Sequence, residues 1–177
     1  MNSNLALVET EVYKKCALDI SDFKMEPESK EYGACQYHLG GREIISRTAK
    51  ITPKKVGQFV TFWKRNGDGP IDPFDESDRF DFYVVNVRAN EEFGQFVFPK
   101  TILLKKGILS TAKKEGKRAF RVYPSWDIVK SKQAERTQKW QLEYFYPLND
   151  STDLYRVLGL YNTDVKDGKT LNTKPLY

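Results

Sequence analysis

Cysteine and histidine are scarce in this 177-residue chain, which carries only Cys16, Cys35 and His38. Two thiols and one imidazole cannot complete a four-ligand zinc site or a three-histidine catalytic one. The same scarcity removes a Ser-His-Asp arrangement unless His38 serves it, and no Gly-x-Ser-x-Gly elbow is present. A Gly-x-x-x-x-Gly-Lys-Ser/Thr loop is also missing, which argues against nucleotide hydrolysis of the P-loop type. No apolar run approaches membrane-spanning length, and the N-terminus lacks the basic, apolar and small-residue succession of a signal peptide. The expected setting is therefore the cytoplasm, with no membrane partner and no small-molecule cofactor.

Aromatic residues make up 14% of the chain and hydrophobic residues 40%, the composition of a folded globular protein rather than a disordered tail. At this length one domain buries a core of its own without stapling. The net charge of +5 is modest, but its distribution is uneven. Residues 42–65 hold seven basic side chains against one acid, residues 66–92 two against eight, and residues 100–121 eight against one. If the two basic blocks fold against each other, their local field far exceeds what the net charge implies, which favours capture of a polyanion.

The periodicity of the sequence predicts an α+β fold, with a curved, mostly antiparallel sheet of about six strands and helices packed on one side. Leu5, Val8, Val12 and Cys16 form one apolar stripe of an N-terminal helix. Residues 19–30 read as an acidic stretch interrupted by Pro27. Strands are expected over 32–39, 42–50, 58–65, 82–87, 93–98 and 119–123, with Gly40-Gly41 closing a hairpin. Pro99 and Gly107 bracket a short helix, with Ile108 folding back on Leu103. A longer helix is predicted from Asp127 to about Phe145, and a final one over 154–160. Residues 1–162 read as a single domain and 163–177 as a polar tail.

Within the first basic block, Phe59, Phe62 and Trp63 interleave with the charges, a pattern that allows cations to meet phosphates while rings accept stacked bases. The candidate phosphate contacts are Arg47, Lys50, Lys54, Lys55, Lys64 and Arg65, joined by Lys100, Lys117, Arg118 and Arg121 from the second block. Trp63 and Trp126 are the candidate stacking platforms. The plainer reading makes Ile44, Ile45, Phe59 and Trp63 core, and the lysines the wet side of a sheet.

Several stretches are familiar. They are Glu28-Ser-Lys-Glu-Tyr-Gly, the long run from Arg47 through Lys54-Lys55-Val-Gly-Gln-Phe-Val to Arg65, Pro73-Phe-Asp-Glu-Ser-Asp, Gly94-Gln-Phe-Val-Phe-Pro-Lys, Gly116 to Asp127, and Thr137-Gln-Lys-Trp-Gln. In this order, over roughly residues 20–146, the series resembles the bacterial MepB family, named after a protein encoded beside a multidrug efflux pump and its repressor. The resemblance implies nucleic-acid binding and carries over no catalytic residue.

Nucleic acid is thus the expected partner, bound in a basic, aromatic-containing cleft without strong sequence specificity, since no helix-turn-helix, zinc finger or RNA-recognition signature occurs. A metal-dependent nuclease or other phosphoryl-transfer enzyme is the alternative, with Glu28, Glu31, Asp75, Asp78 and Asp81 as candidate ligands and Lys50 as the candidate cation. No catalytic motif accompanies them. A protein–protein interaction module using exposed aromatics is the second alternative.

Overall fold

A computed structural model describes residues 1–162; the segment 163–177, read as a tail, lies outside the described residues. The strands in chain order are β1 (Ile20–Met25), β2 (Cys35–Leu39), β3 (Arg42–Thr48), β4 (Lys50–Thr52), β5 (Lys55–Thr61), β6 (Trp63–Arg65), β7 (Ile71–Pro73), β8 (Phe82–Ala89), β9 (Glu92–Pro99), β10 (Ala119–Val122) and β11 (Phe145–Pro147). The helices are α1 (Ser3–Val8), α2 (Lys100–Lys105), α3 (Lys132–Leu142) and α4 (Leu154–Tyr161). A π turn (Glu9–Tyr13) and a 3-10 turn (Lys14–Cys16) extend α1.

The fold is α+β. Six strands form the main sheet in the order β1-β2-β3-β8-β9-β11, and smaller sheets are built from β10-β5-β4 and from β6-β7. Within the main sheet only β3 and β8 run parallel. Parallel neighbours need a crossover connection. Here it spans residues 49–81 and carries β4 to β7, so the first basic block from Lys50 onward is folded into that excursion.

The apolar run of β8 is explained by burial on both sides. Phe82 and Val84 enter one core with Ile44, Phe93 and Val97, while Tyr83, Val85 and Val87 enter another with Ile45, Phe96 and Phe98. The first core is covered by α1, its extension and α4, through Leu5, Val8, Val12, Val157, Leu160 and Tyr161. The second is covered by the crossover sheet and α2, through Val60, Phe62, Val122, Ile102 and Leu103, with Trp140 of α3 packed against it. Helices therefore lie on both faces rather than on one, because a sheet apolar on both sides needs two covers.

Other differences have local causes. β1 falls within the acidic stretch 19–30, where the sequence pattern marks no strand. Only Ile20 and Phe23 pack against the core, and a register shift between Ser21 and Lys24 hides the alternation. The expected strand over 58–65 divides into β5 and β6. The helix expected from Asp127 starts at Lys132, capped by Ser131, whose side chain accepts from the Ala134 N–H. Residues 124–127 are instead held as a turn by Gln138, whose Nε2 donates to the carbonyls of Pro124 and Asp127 at 3.0 Å. At its other end the helix stops at Leu142, and Phe145–Pro147 becomes an edge strand on β9. The short helix α2 ends as expected, with Gly107 left-handed and the Ile108 N–H donating to the Leu103 carbonyl at 2.9 Å.

The repeated Gly-Gln-Phe-Val of β5 and β9 has a shared physical basis. A Cβ on Gly57 would lie 2.6 Å from the Tyr123 ring, and one on Gly94 would lie 2.6 Å from the Phe145 ring. In each case the glycine lets an aromatic side chain from the adjoining chain segment approach the strand closely. Gly94→Ala, hemmed in also by the Tyr146 carbonyl at 2.8 Å, is expected to lower stability by about 1–3 kcal/mol in urea unfolding. Gly67→Ala, left-handed but with open space around it, is expected to cost only about 1–2 kcal/mol of backbone strain.

Candidate nucleic-acid interface

The two basic blocks meet in the small sheet. β10 pairs antiparallel with β5 through Ala119↔Thr61, Phe120↔Val60, Arg121↔Phe59 and Val122↔Gln58, and β4 pairs with β5 through Lys50↔Phe59. Side chains alternate across a strand. One face of this sheet, through Val60 and Val122, belongs to the second core. The other carries Lys50, Phe59 and Arg121 in a single cross-strand row, a ring between two cations.

The surroundings extend that pattern. Tyr32, from the 3-10 turn Lys30–Tyr32, places its ring 4.5 Å from Lys50 Nζ and 6.5 Å from the Phe59 ring. The Arg121 guanidinium lies along the hairpin base, donating to Thr52 Oγ1 at 2.6 Å and to the Gly57 carbonyl at 3.2 Å. Tyr123 covers Gly57 on the same side. Pro53 and Lys54 form the two-residue turn between β4 and β5, and Lys54 and Lys55 are exposed there. Among the described residues, Lys50, Lys54, Lys55, Lys117 and Arg121 form no ion pair with a carboxylate. The Tyr32 ring orients Lys50, and the Thr52 hydroxyl and Gly57 carbonyl orient Arg121, without neutralising either charge.

The remaining candidates have different places. Arg47 is buried at 1% exposure, donating to Glu26 Oε2 at 2.8 Å and to the Ser46 carbonyl at 3.0 Å. Its position in β3 points inward, so it has no surface to offer a phosphate. Lys64 donates to Asp75 Oδ2 and Asp78 Oδ2 at 2.7 Å each. Arg65 is held by Glu28 at 3.1 Å and the Gly69 carbonyl at 2.8 Å. Arg118 pairs with Glu115 at 2.8 Å and donates to the Ile71 carbonyl at 3.2 Å. Lys100 donates to the Asp78 carbonyl and lies over the Phe80 ring. Trp63 is half-buried with Arg65 over its ring at 5.6 Å. Trp126 packs edge-on against Phe145 at 5.8 Å within the second core.

The acidic block thus folds onto part of the first basic block. Asp75 and Asp78 bind Lys64, and Asp81 Oδ2 accepts from the Glu43 N–H at 2.8 Å, while Glu28, from outside that block, binds Arg65. No group of three or more His, Cys, Asp or Glu among the described residues is arranged to hold a metal ion. Sequence reasoning did not single out Tyr32 or Tyr123. The alternation of Ala119, Arg121 and Tyr123 points to the latter, whereas Tyr32 arrives from a separate turn that no local pattern connects to β4. Among the described residues, no helix is long and apolar enough to cross a membrane.

The profile of the MepB-like family matches residues 26–147, more than half of the chain, and the chain belongs to that family. The solved crystal structure of MepB is similar to it, with a TM-score of 0.73 and 34% identity, covering 85% of this chain and 100% of that one. A comparison with curated proteins returned no match.

Burial works against the Lys64 charge, but the hydrogen bonds it donates to Asp75 and Asp78 outweigh that and raise its pKa. Lys64, followed by Ser77, holds the Asp75 carboxyl well below the usual carboxylate range. A carboxyl with a lowered folded-state pKa stabilises the fold above its unfolded value, near 3.9, and loses that contribution as pH falls through the folded value. Asp75→Asn is therefore expected to be less stable than the parent at neutral pH. The gap should close as pH falls from about 4 toward 2 in urea unfolding at each pH. Lys64→Ala, which strands two carboxylates side by side, should lower stability by on the order of 1 kcal/mol.

Proposed function

We propose that this protein binds nucleic acid across the exposed face of the β4-β5-β10 sheet, using Lys50, Lys54, Lys55, Lys117 and Arg121 for phosphates and the Phe59, Tyr32 and Tyr123 rings for unpaired bases. The observation that carries the reading is the cross-strand row Lys50–Phe59–Arg121, drawn from both basic blocks, whose two cations form no ion pair with a carboxylate among the described residues. Rings with exposed faces accept any base, and cations beside them track the backbone, so the surface favours single-stranded segments without strong sequence preference. A reducing, cytoplasmic setting fits the two free thiols, Cys16 and Cys35, both buried and both pushed up to about 11 by that burial. Of the carboxylates considered for a nuclease, Glu28, Asp75, Asp78 and Asp81 hold cations or backbone groups in place, and no observation favours the enzymatic reading over this one.

Two substitutions separate charge from stacking. The triple change Lys50→Ala, Lys54→Ala, Lys55→Ala is expected to weaken binding to a single-stranded oligonucleotide and to flatten the log–log salt dependence by up to about two units, roughly 0.7 per lost contact. All three side chains are exposed, and stability should shift by no more than about 0.5 kcal/mol for each. Phe59→Ala is expected to weaken binding by about 1–3 kcal/mol while leaving the salt slope unchanged. Fluorescence anisotropy across a salt series reads both. An unaltered affinity and slope in the triple variant would remove this face from consideration.

A further inference from the structure

A second concavity lies at the open edge of β10, where α3 runs beside the strand. It has a volume of about 330 Å³, and its lining includes Lys106, Lys117, Arg121, Phe120, Tyr123 and Trp140, with no carboxylate. That size sits at the lower end of the roughly 300–1,000 Å³ typical of small-molecule sites. Such a space suits one nucleotide rather than two.

The walls are fixed by Gln141, which is fully buried. Its Oε1 accepts from the Tyr123 N–H at 2.9 Å and its Nε2 donates to the Arg121 carbonyl at 2.9 Å, so strand and helix are clamped at both ends of one amide. These bonds also reveal which way β10 faces. Backbone groups alternate in direction along a strand, and the Arg118 carbonyl, one residue before β10, bonds inward to the Phe62 N–H. The odd residues therefore turn outward, which brings the Ala119 N–H and C=O and the Arg121 N–H to the cleft. An edge of alternating donors and acceptors is what the rim of a nucleobase can pair with.

The electrostatics complete the site. Lys106 Nζ stands 5.4 Å from the centre of the Trp140 ring, so a cation and an aromatic face occupy one corner, and Lys117 is exposed at another. A ligand that is planar at one end and anionic at the other satisfies both halves. We propose that this cleft holds a single nucleoside monophosphate unit, its base against the β10 edge and the Trp140 ring, its phosphate at Lys106 and Lys117. The unit could be a free nucleotide or the last nucleotide of a strand. The inference goes beyond strand binding on the neighbouring face and stands if that reading fails.

Calorimetric titration of the intact protein with nucleoside 5′-monophosphates tests it, with inorganic phosphate and unphosphorylated nucleosides as comparisons. Binding is expected for the monophosphates and at least about tenfold weaker for either half alone, a difference of about 1.4 kcal/mol. Ala134→Leu fills the cleft from α3 without altering a charge, and together with Lys117→Ala should reduce monophosphate binding by at least about tenfold. Thermal unfolding checks that each variant is folded.

Terminally phosphorylated linear oligonucleotides and circular single strands, which have no end, distinguish the two sources. A linear-over-circular preference that Ala134→Leu abolishes identifies a strand end as the ligand. Monophosphate binding without that preference identifies the free nucleotide. The proposal is overturned if neither appears, if Ala134→Leu leaves both intact, or if phosphate alone binds as tightly as the nucleotide. Loss of circular-strand binding with monophosphate binding retained would count only against the outer face of the small sheet.

Discussion

Four cross-strand pairs, from Ala119↔Thr61 to Val122↔Gln58, join two segments that lie far apart in the chain. This contact is what makes a surface out of two charge-rich stretches. Its inward face is secured by Val60, Phe120 and Val122, and by Phe62 just beyond, stacked between Tyr83 at 4.0 Å and Phe74 at 4.5 Å. Apolar burial of this kind supplies a driving force that the cations themselves cannot, since like charges brought together repel. Hydrophobic packing on one side of the sheet therefore holds the positive row in place on the other.

The same folding sorts the basic residues into two groups. Lys64, Arg65, Arg118 and Arg47 are drawn to Asp75, Asp78, Glu28, Glu115 and Glu26, and serve as ties between segments. Lys50, Lys54, Lys55, Lys117 and Arg121 remain uncompensated on or beside the small sheet. Net charge per segment does not distinguish the groups, because a cation opposite a carboxylate contributes to architecture and loses most of its pull on a distant phosphate. Carboxylates from the acidic stretch and from elsewhere in the chain thus trim the positive field to a narrower region than the sequence implies.

Much of the architecture was legible where residues have one dominant preference. The β8 run reads as a central strand because it is apolar on both sides, and Pro99 with Gly107 brackets α2 because each suits one end of a helix. β1 and β11 were not legible. The former has two packed side chains and a bulge, and the latter is three residues directly after a helix. For the site, the two basic blocks and Arg121 could be read, since alternation in β10 puts Arg121 opposite Phe120. The burial of Arg47 could not, because its partner Glu26 lies beyond another hairpin and nothing local marks the pair. Tyr32 was hidden for the same reason.

Amide hydrogen exchange with and without a saturating single-stranded oligonucleotide tests the central claim most directly, because it reports on every described element at once. The β4-β5-β10 sheet is predicted to gain protection over residues 50–61 and 119–123, with α1 and α4 on the far side of the main sheet unaffected. Protection confined to α1 and α4, or no change anywhere at a concentration where the strand is shown to be bound, would contradict it.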